Sequence, residues 1–276
     1  MKYYFSIAFF LFSTILANAA QVDTITVFSN SMQKAIQCVV IKPSSYKKNK
    51  AGLSTVYLLH GYGGWYSNWI IRVPELKTYA DKYNVLIVCP DGDKASWYFD
   101  SPVDPRMKYE TYVSFEVPHY IDSAYKAIAD RRHRAITGLS MGGHGSLSIA
   151  WKHADVFGAA GSMSGVVDLN ESKNKFEIVK VLGDTLHYAD NWENYSVLHV
   201  VEARPADSLA LIIDDGTDDI FIAGNRRLHQ KLLSLKVPHE YIERPGKHSW
   251  DYWRYAVDFQ LLFFRKYFDS APAQIK

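Results

Sequence analysis

Cysteine is nearly missing, with two in 276 residues, Cys38 and Cys89. Each lies in an apolar run, Ile36-Gln37-Cys38-Val39-Val40 and Val85-Leu86-Ile87-Val88-Cys89, where a cysteine serves as a small buried hydrophobe. Two strand cysteines in an exported chain could pair, but spacing does not give their separation; free thiols are expected, neither of them a metal ligand or a nucleophile. An excess of charge is missing as well. A formal net charge of +2 without a basic stripe or tail leaves nucleic acid and anionic membrane no special claim as partners. The acidic run from Asp214 to Asp219 has no adjacent histidines at ligand spacing, so no metal site is expected, and nothing calls for a cofactor. Oligomeric state leaves no mark that the sequence can be read for.

What is present suits one well-buried globular domain, with 48% hydrophobic and 22% charged residues. The first residues read differently. Met1-Lys2 supplies a small positive start, Tyr3 to Leu16 an apolar run, and Ala17-Asn18-Ala19 an A-x-A cleavage site. Polar Gln21-Val22-Asp23-Thr24 follows at once, and no basic stop-transfer cluster appears. A secretory signal peptide over 1–19 is expected, followed by an exported periplasmic or extracellular domain over 20–276.

Two β-rich segments, Thr24 to Phe28 and Ile36 to Ile41, read as an antiparallel opening pair. Thr55 to Leu59 and Val85 to Cys89 are buried strands, with helical character from Pro74 to Tyr83. A helix is expected from about Tyr109 to Asp130, with Pro118 starting its second part. Arg134 to Thr137 is a strand, and Gly143 to Trp151 a small-residue helix. Gly158 to Ser164 is a strand of small residues, and Gly165 to Asp207 loosens into what looks like an insertion over the sheet's edge. A strand over Leu209 to Ile213, a helix over Ile220 to Leu235, a strand over His239 to Glu243 and a helix over Trp250 to Phe268 close the chain. Short apolar strands alternating with helices imply an α/β fold, a mostly parallel central sheet with helices on both faces. Ligands of such sheets bind at the carboxyl ends of the strands, where the motifs below fall.

The central motif is Gly138-Leu139-Ser140-Met141-Gly142, a G-x-S-x-G between a strand and a helix. A serine on a sharp turn projects its hydroxyl above the sheet, and glycines let neighbouring backbone pass close to it. Ser140 is therefore the candidate nucleophile. Its hydroxyl needs a base, itself held by a third group. His248, in Pro245-Gly246-Lys247-His248-Ser249-Trp250, follows a strand and precedes the last helix, which suits the serine, acid, histidine order. His133, His144, His153, His187, His199 and His229 sit on expected helices or polar loops, where solvated or capping roles are expected. The acid should follow the strand ending at Ile213, where Asp214, Asp215, Asp218 and Asp219 compete; spacing does not choose among them, and those not used are expected to cap or face the next helix. An oxyanion needs donors. One is the N–H of Met141, the other comes from His60-Gly61-Tyr62-Gly63-Gly64, with Tyr62 favoured.

With these motifs the chain resembles the esterase family of α/β-hydrolases that includes S-formylglutathione hydrolases (esterase D), feruloyl and acetylxylan esterases of carbohydrate esterase family one, and mycolyltransferases. Leu59-His60-Gly61-Tyr62-Gly63-Gly64, Gly138 to Gly145, Gly216-Thr217-Asp218-Asp219 and His248-Ser249-Trp250 carry the resemblance, which covers nearly all of the chain after the leader. It implies the α/β-hydrolase fold, Asp219 as the acid and Tyr62 as the second oxyanion donor. The Leu59-His60-Gly61 strand end leans toward the feruloyl and acetyl esterase branch. Export argues against a cytoplasmic glutathione thioester and leaves ester groups on plant polysaccharide as the expected substrate. Trp65, Trp69, Trp97, Tyr98 and Trp250 fall near the strand ends and are the candidate substrate-binding residues. A small-molecule esterase, a secreted acyltransferase and a non-catalytic binding module are the alternatives.

Overall fold

The computed structural model describes residues 19–203 and 209–270. Except for Ala19, the expected signal peptide lies outside the described residues. In chain order the elements are β1 (Gln21–Ser29), β2 (Lys34–Lys42), β3 (Thr55–Leu59), α1 (Asn68–Arg72), α2 (Leu76–Tyr83) and β4 (Leu86–Pro90). After α3 (Tyr109–Thr111) and α4 (Val117–Ala124) come β5 (Arg134–Gly138), α5 (Met141–Lys152) and β6 (Ala159–Met163). The last part holds α6 (Val179–Leu182), α7 (Ala189–Asn194), α8 (Val197–Ala203), β7 (Ala210–Gly216), α9 (Ile222–Ser234), β8 (Glu240–Arg244) and α10 (Trp250–Ser270).

The strands form one sheet in the order β1-β2-β4-β3-β5-β6-β7-β8. β1 and β2 make the expected antiparallel pair, from Gln21 opposite Lys42 to Ser29 opposite Lys34, and β2 joins β4 antiparallel. Every pairing from β4 to β8 is parallel. The period of two along each strand divides the core into two halves. Val56 and Leu58 of β3 pack with Leu76 and Ala80 of α2 and with Val257, Leu261 and Phe264 of α10. Tyr57 and Leu59 face the other way, toward Val117 and Ile121 of α4, Leu147 and Ile149 of α5 and Leu228 of α9. All these residues are buried, and a fully buried leucine or isoleucine contributes roughly 1.5–3 kcal/mol. The same alternation settles the cysteines. In the β2–β4 register Cys89 stands opposite Val39 rather than Cys38, so the two thiols point to opposite faces and are both free and buried.

The structure corrects three expectations. The helix expected over Tyr109 to Asp130 ends at Ala124. Residues beyond it instead pair with Leu53, whose N–H donates to Lys126 O and whose carbonyl accepts from Ile128. Ahead of Pro118 the helix widens into a π-turn over Tyr112–Glu116, where the Val117 N–H reaches Tyr112 O; a proline has no N–H to offer, and such a turn accommodates the gap. Secondly, β7 continues past Ile213 to Gly216, so Asp214 and Asp215 are buried strand residues and not helix caps. Thirdly, the segment after Gly165 is the crossover from β6 to β7. It lies on a face of the sheet, where Val167, Leu169, Trp192, Leu198 and Val201 join the core beside α5 and α9, and the edge strand at that end is β8. Residues 204–207 of the expected insertion lie outside the described residues.

Candidate active site

The strand ends prepare the site. β5 stops at Gly138 and α5 starts at Met141, so Ser140 sits in the turn between them with φ 53° and ψ −116°. That conformation disfavours an L side chain, and it is held by the Ser140 N–H to Met163 O at 2.9 Å and by Ser140 O accepting the His144 N–H at 3.0 Å. A Cβ on Gly142 would come within 2.6 Å of His60 O, so only glycine lets the turn lie against the β3 loop. The helix that follows has almost no polar face because the crossover covers it, and Met141 to Trp151 are all buried.

The Ser140 hydroxyl is 2.9 Å from His248 Nε2. His248 Nδ1 is 3.0 and 2.9 Å from the two oxygens of Asp219, which as a carboxylate only accepts, so Nδ1 carries the proton and Nε2 is free to accept from the serine. Asp219 closes a turn in which its N–H meets Gly216 O, and Oδ1 also accepts the Phe221 N–H at 2.9 Å. Burial would raise its pKa, but the hydrogen bond and charge of His248, with the Phe221 N–H, outweigh burial and hold it below the usual value. The imidazole stands edge-on between Phe221 at 5.1 Å and Trp253 at 4.8 Å. Of the competing aspartates, Asp218 is exposed, and Asp214 bonds Arg244 and the Tyr252 hydroxyl. Burial lifts Asp214 to about 6.

Asp215 is the unusual one. It is fully buried; Oδ1 accepts the Gly216 N–H at 2.8 Å, while Oδ2 has no hydrogen-bond partner among the described residues. Burial, then the neighbouring charge of Asp219, raises its pKa far above the ordinary carboxylate range. The folded chain therefore holds a proton here that the unfolded chain releases near pH ~4. The stabilisation is complete below that pH and declines as pH rises toward the folded value. Asp215→Asn keeps a neutral side chain at every pH. Its advantage over the parent in urea unfolding is expected to be small at pH 4 and to reach on the order of 1 kcal/mol or more at pH 8; equal pH dependence in both proteins would show that Asp215 ionises normally.

Met141, the first residue of α5, has an N–H with no intrahelical acceptor. The Tyr62 N–H likewise has no backbone acceptor among the described residues, and a Cβ on the preceding Gly61 would stand 3.5 Å from Ser140 Cβ, which shows how closely this loop approaches. His60 locks the loop. Its buried ring accepts the Gly92 N–H at Nε2 and donates from Nδ1 to Gly61 O, each at 2.9 Å, and burial lowers its pKa so that it stays neutral.

A cleft of about 280 Å³ opens above Ser140 and His248. Of the five aromatic residues expected to bind substrate, Trp65 and Trp250 line it. Trp69, Trp97 and Tyr98 do not, being buried at 1% exposure each. Their polar tips explain why: Trp69 Nε1 donates to Leu59 O, Trp97 Nε1 to Phe176 O and the Tyr98 hydroxyl to His60 O, so each braces the backbone of a loop at the site. His144 is also corrected, from a solvated or capping role to a buried one. Its Nε2 donates to Tyr195 O between the edges of Trp97 and Phe99, and burial depresses its pKa to about 3.

The cleft contains further residues that the sequence reading missed: Asn68, Arg72, Trp253 and Phe176. Trp253 was accessible to it, lying one helical turn beyond Trp250 on the same face. Phe176 was not, because the crossover has no periodicity around it. Phe176 and Glu177 both adopt left-handed backbone angles, φ 53° and 54°. Glu177 accepts from the Tyr62 hydroxyl at 3.1 Å and Lys94 Nζ at 2.9 Å, and pairs with Lys180. The crossover is thereby tied to the loop after β3.

Residues 29–264 match the family model described as Putative esterase. The chain is 26% identical over 235 residues to Esterase MT1326 of Mycobacterium tuberculosis (strain CDC 1551 / Oshkosh), across 76% of this chain and 51% of that protein. It thus spans about half the length of the first curated relatives it matches. It is 28% identical over 217 residues to Acetyl esterase of Caldicellulosiruptor saccharolyticus, across 73% of this chain and 79% of that one. A solved ferulic acid esterase, 29% identical, superposes with a TM-score of 0.77 over 90% of this chain and 99% of its own. From the family match and this shared architecture, the chain belongs to the Putative esterase family and has the α/β-hydrolase fold.

Proposed function

We propose that the protein is an exported serine carboxylesterase that hydrolyses carbohydrate-linked esters, feruloyl or acetyl groups on plant polysaccharide, through a Ser140-His248-Asp219 triad. The observation that carries this reading is the unbroken hydrogen-bond chain from Ser140 Oγ through His248 to Asp219, at the floor of an open aromatic cleft. Likeness to proteins named acetyl esterase and ferulic acid esterase supports the acyl groups, and the leader-like first residues support export.

In this mechanism His248 Nε2 takes the hydroxyl proton as Ser140 Oγ attacks the ester carbon. Asp219 holds the imidazole in the required tautomer and stabilises the imidazolium. The oxyanion meets the N–H groups of Met141 and Tyr62, each such donor being worth about a hundred- to a thousand-fold in rate. His248 then protonates the departing alkoxide, leaving an acyl-serine. Water, deprotonated by the same nitrogen, attacks the acyl-serine, and Ser140 leaves with the proton restored. The flat walls of Trp65, Trp250 and Trp253 suit an aryl or sugar face.

The test is hydrolysis of methyl ferulate, acetylated xylan and p-nitrophenyl acetate by the purified chain, with Ser140→Ala as control. Serine-dependent release from the ferulate or the xylan is expected and tells which acyl group is preferred. Serine-dependent turnover of p-nitrophenyl acetate alone would move the reading to a small-molecule esterase. Absence of turnover on all three would overturn hydrolysis.

A further inference from the structure

Arg72 ends α1 and lines the cleft, with its guanidinium 6.0 Å from the centre of the Trp250 ring. No aspartate or glutamate lines the cleft, and Arg72 is its one permanently charged residue among those described. Nor does it have an acidic partner among the described residues. The nearest acidic side chain in sequence, Glu75, is held by Arg254, and Arg134, Arg226 and Arg244 each bind a carboxylate of their own. An arginine without a carboxylate partner keeps its guanidinium fork free, and that fork matches a carboxylate with two parallel hydrogen bonds.

The side of the cleft follows from the rings. Trp250 stands 5.5 Å from Trp253, and Trp253 stands 4.8 Å from His248. Arg72 therefore lies on the wall that leads to the histidine which hands a proton to the departing alcohol. We infer that Arg72 selects esters whose alcohol portion carries a carboxylate, as a sugar acid or hydroxy acid does. This inference rests on the esterase reading above.

Matched pairs with one acyl group test it: methyl caffeate against the caffeoyl ester of quinate, and ethyl acetate against acetoxyacetate. The quantity read is the ratio of kcat/KM, charged ester over neutral ester. In the wild type the ratio is expected to exceed one for whichever acyl group is accepted and to fall as sodium chloride is raised. Arg72→Gln is expected to lower it roughly ten- to hundred-fold, mainly through KM, with Arg72→Lys intermediate. A ratio unchanged by Arg72→Gln, or insensitive to salt in the wild type, overturns the role of Arg72 while leaving the esterase reading in place. Loss of both esters in equal proportion assigns Arg72 to packing Trp250 and overturns it too. Absence of any Ser140-dependent hydrolysis is a different result, which removes the esterase reading beneath it.

Discussion

Ser140→Ala is expected to lower kcat on any accepted ester by about a million-fold, the loss typical of removing a triad nucleophile. The change is also expected to be silent in folding. Ser140 is held by its backbone, through Met163 O and His144 N, and its side chain bonds only His248 among the described residues. Alanine fits the same left-handed turn as well as serine does. A thermal melt within about a degree of the parent, beside lost turnover, is the combined result to look for. Retained activity would place the nucleophile elsewhere and end the mechanism.

Asp219→Asn comes second, with an expected loss of about ten-thousand-fold in kcat. The asparagine amide donates where the carboxylate accepted, so the imidazole proton moves to Nε2 and the nitrogen facing Ser140 loses its lone pair. Removing one charge cannot explain so large a drop; a wrong tautomer can. Asp218→Asn, exposed one residue earlier on the same turn, is expected to change kcat by only a few-fold. Titrating kcat of both variants on p-nitrophenyl acetate separates them, and a reversed order of losses would reassign the acid to Asp218.

The parts of the site whose positions follow from steric demands were readable from the residues. G-x-S-x-G is such a demand, because a Cβ at Gly142 would collide with the β3 loop. A late histidine before the last helix is another, set by the order of strands. The acid was different: four aspartates crowd one strand end, and what separates Asp219 from the equally buried Asp215 is a turn closed on Gly216 O and a carboxylate facing His248 Nδ1, which spacing does not encode. It was the family resemblance that pointed to Asp219. The aromatic residues were misread for a plain reason. Trp69, Trp97 and Tyr98 occupy the strand-end loops just as Trp65 and Trp250 do, and only the partner of each N–H or O–H tells a brace from a wall. The fold was legible through its alternating short strands and helices, whereas the true end of α4 depends on pairing with Leu53, distant in sequence.

The crossover from β6 to β7 has a bearing on how such a protein changes over generations. Ser140, Asp219 and His248 follow β5, β7 and β8, while Phe176 and Glu177 arrive from a segment that contributes nothing to that trio. A lineage can therefore reshape the part of the cleft wall that Phe176 provides and leave its reaction chemistry untouched. Two of its anchors beside the cleft are the Tyr195 carbonyl on His144 and the Phe176 carbonyl on Trp97. Both are backbone atoms, indifferent to which side chain the position carries, so this part of the attachment persists while the crossover's side chain at the cleft is free to drift.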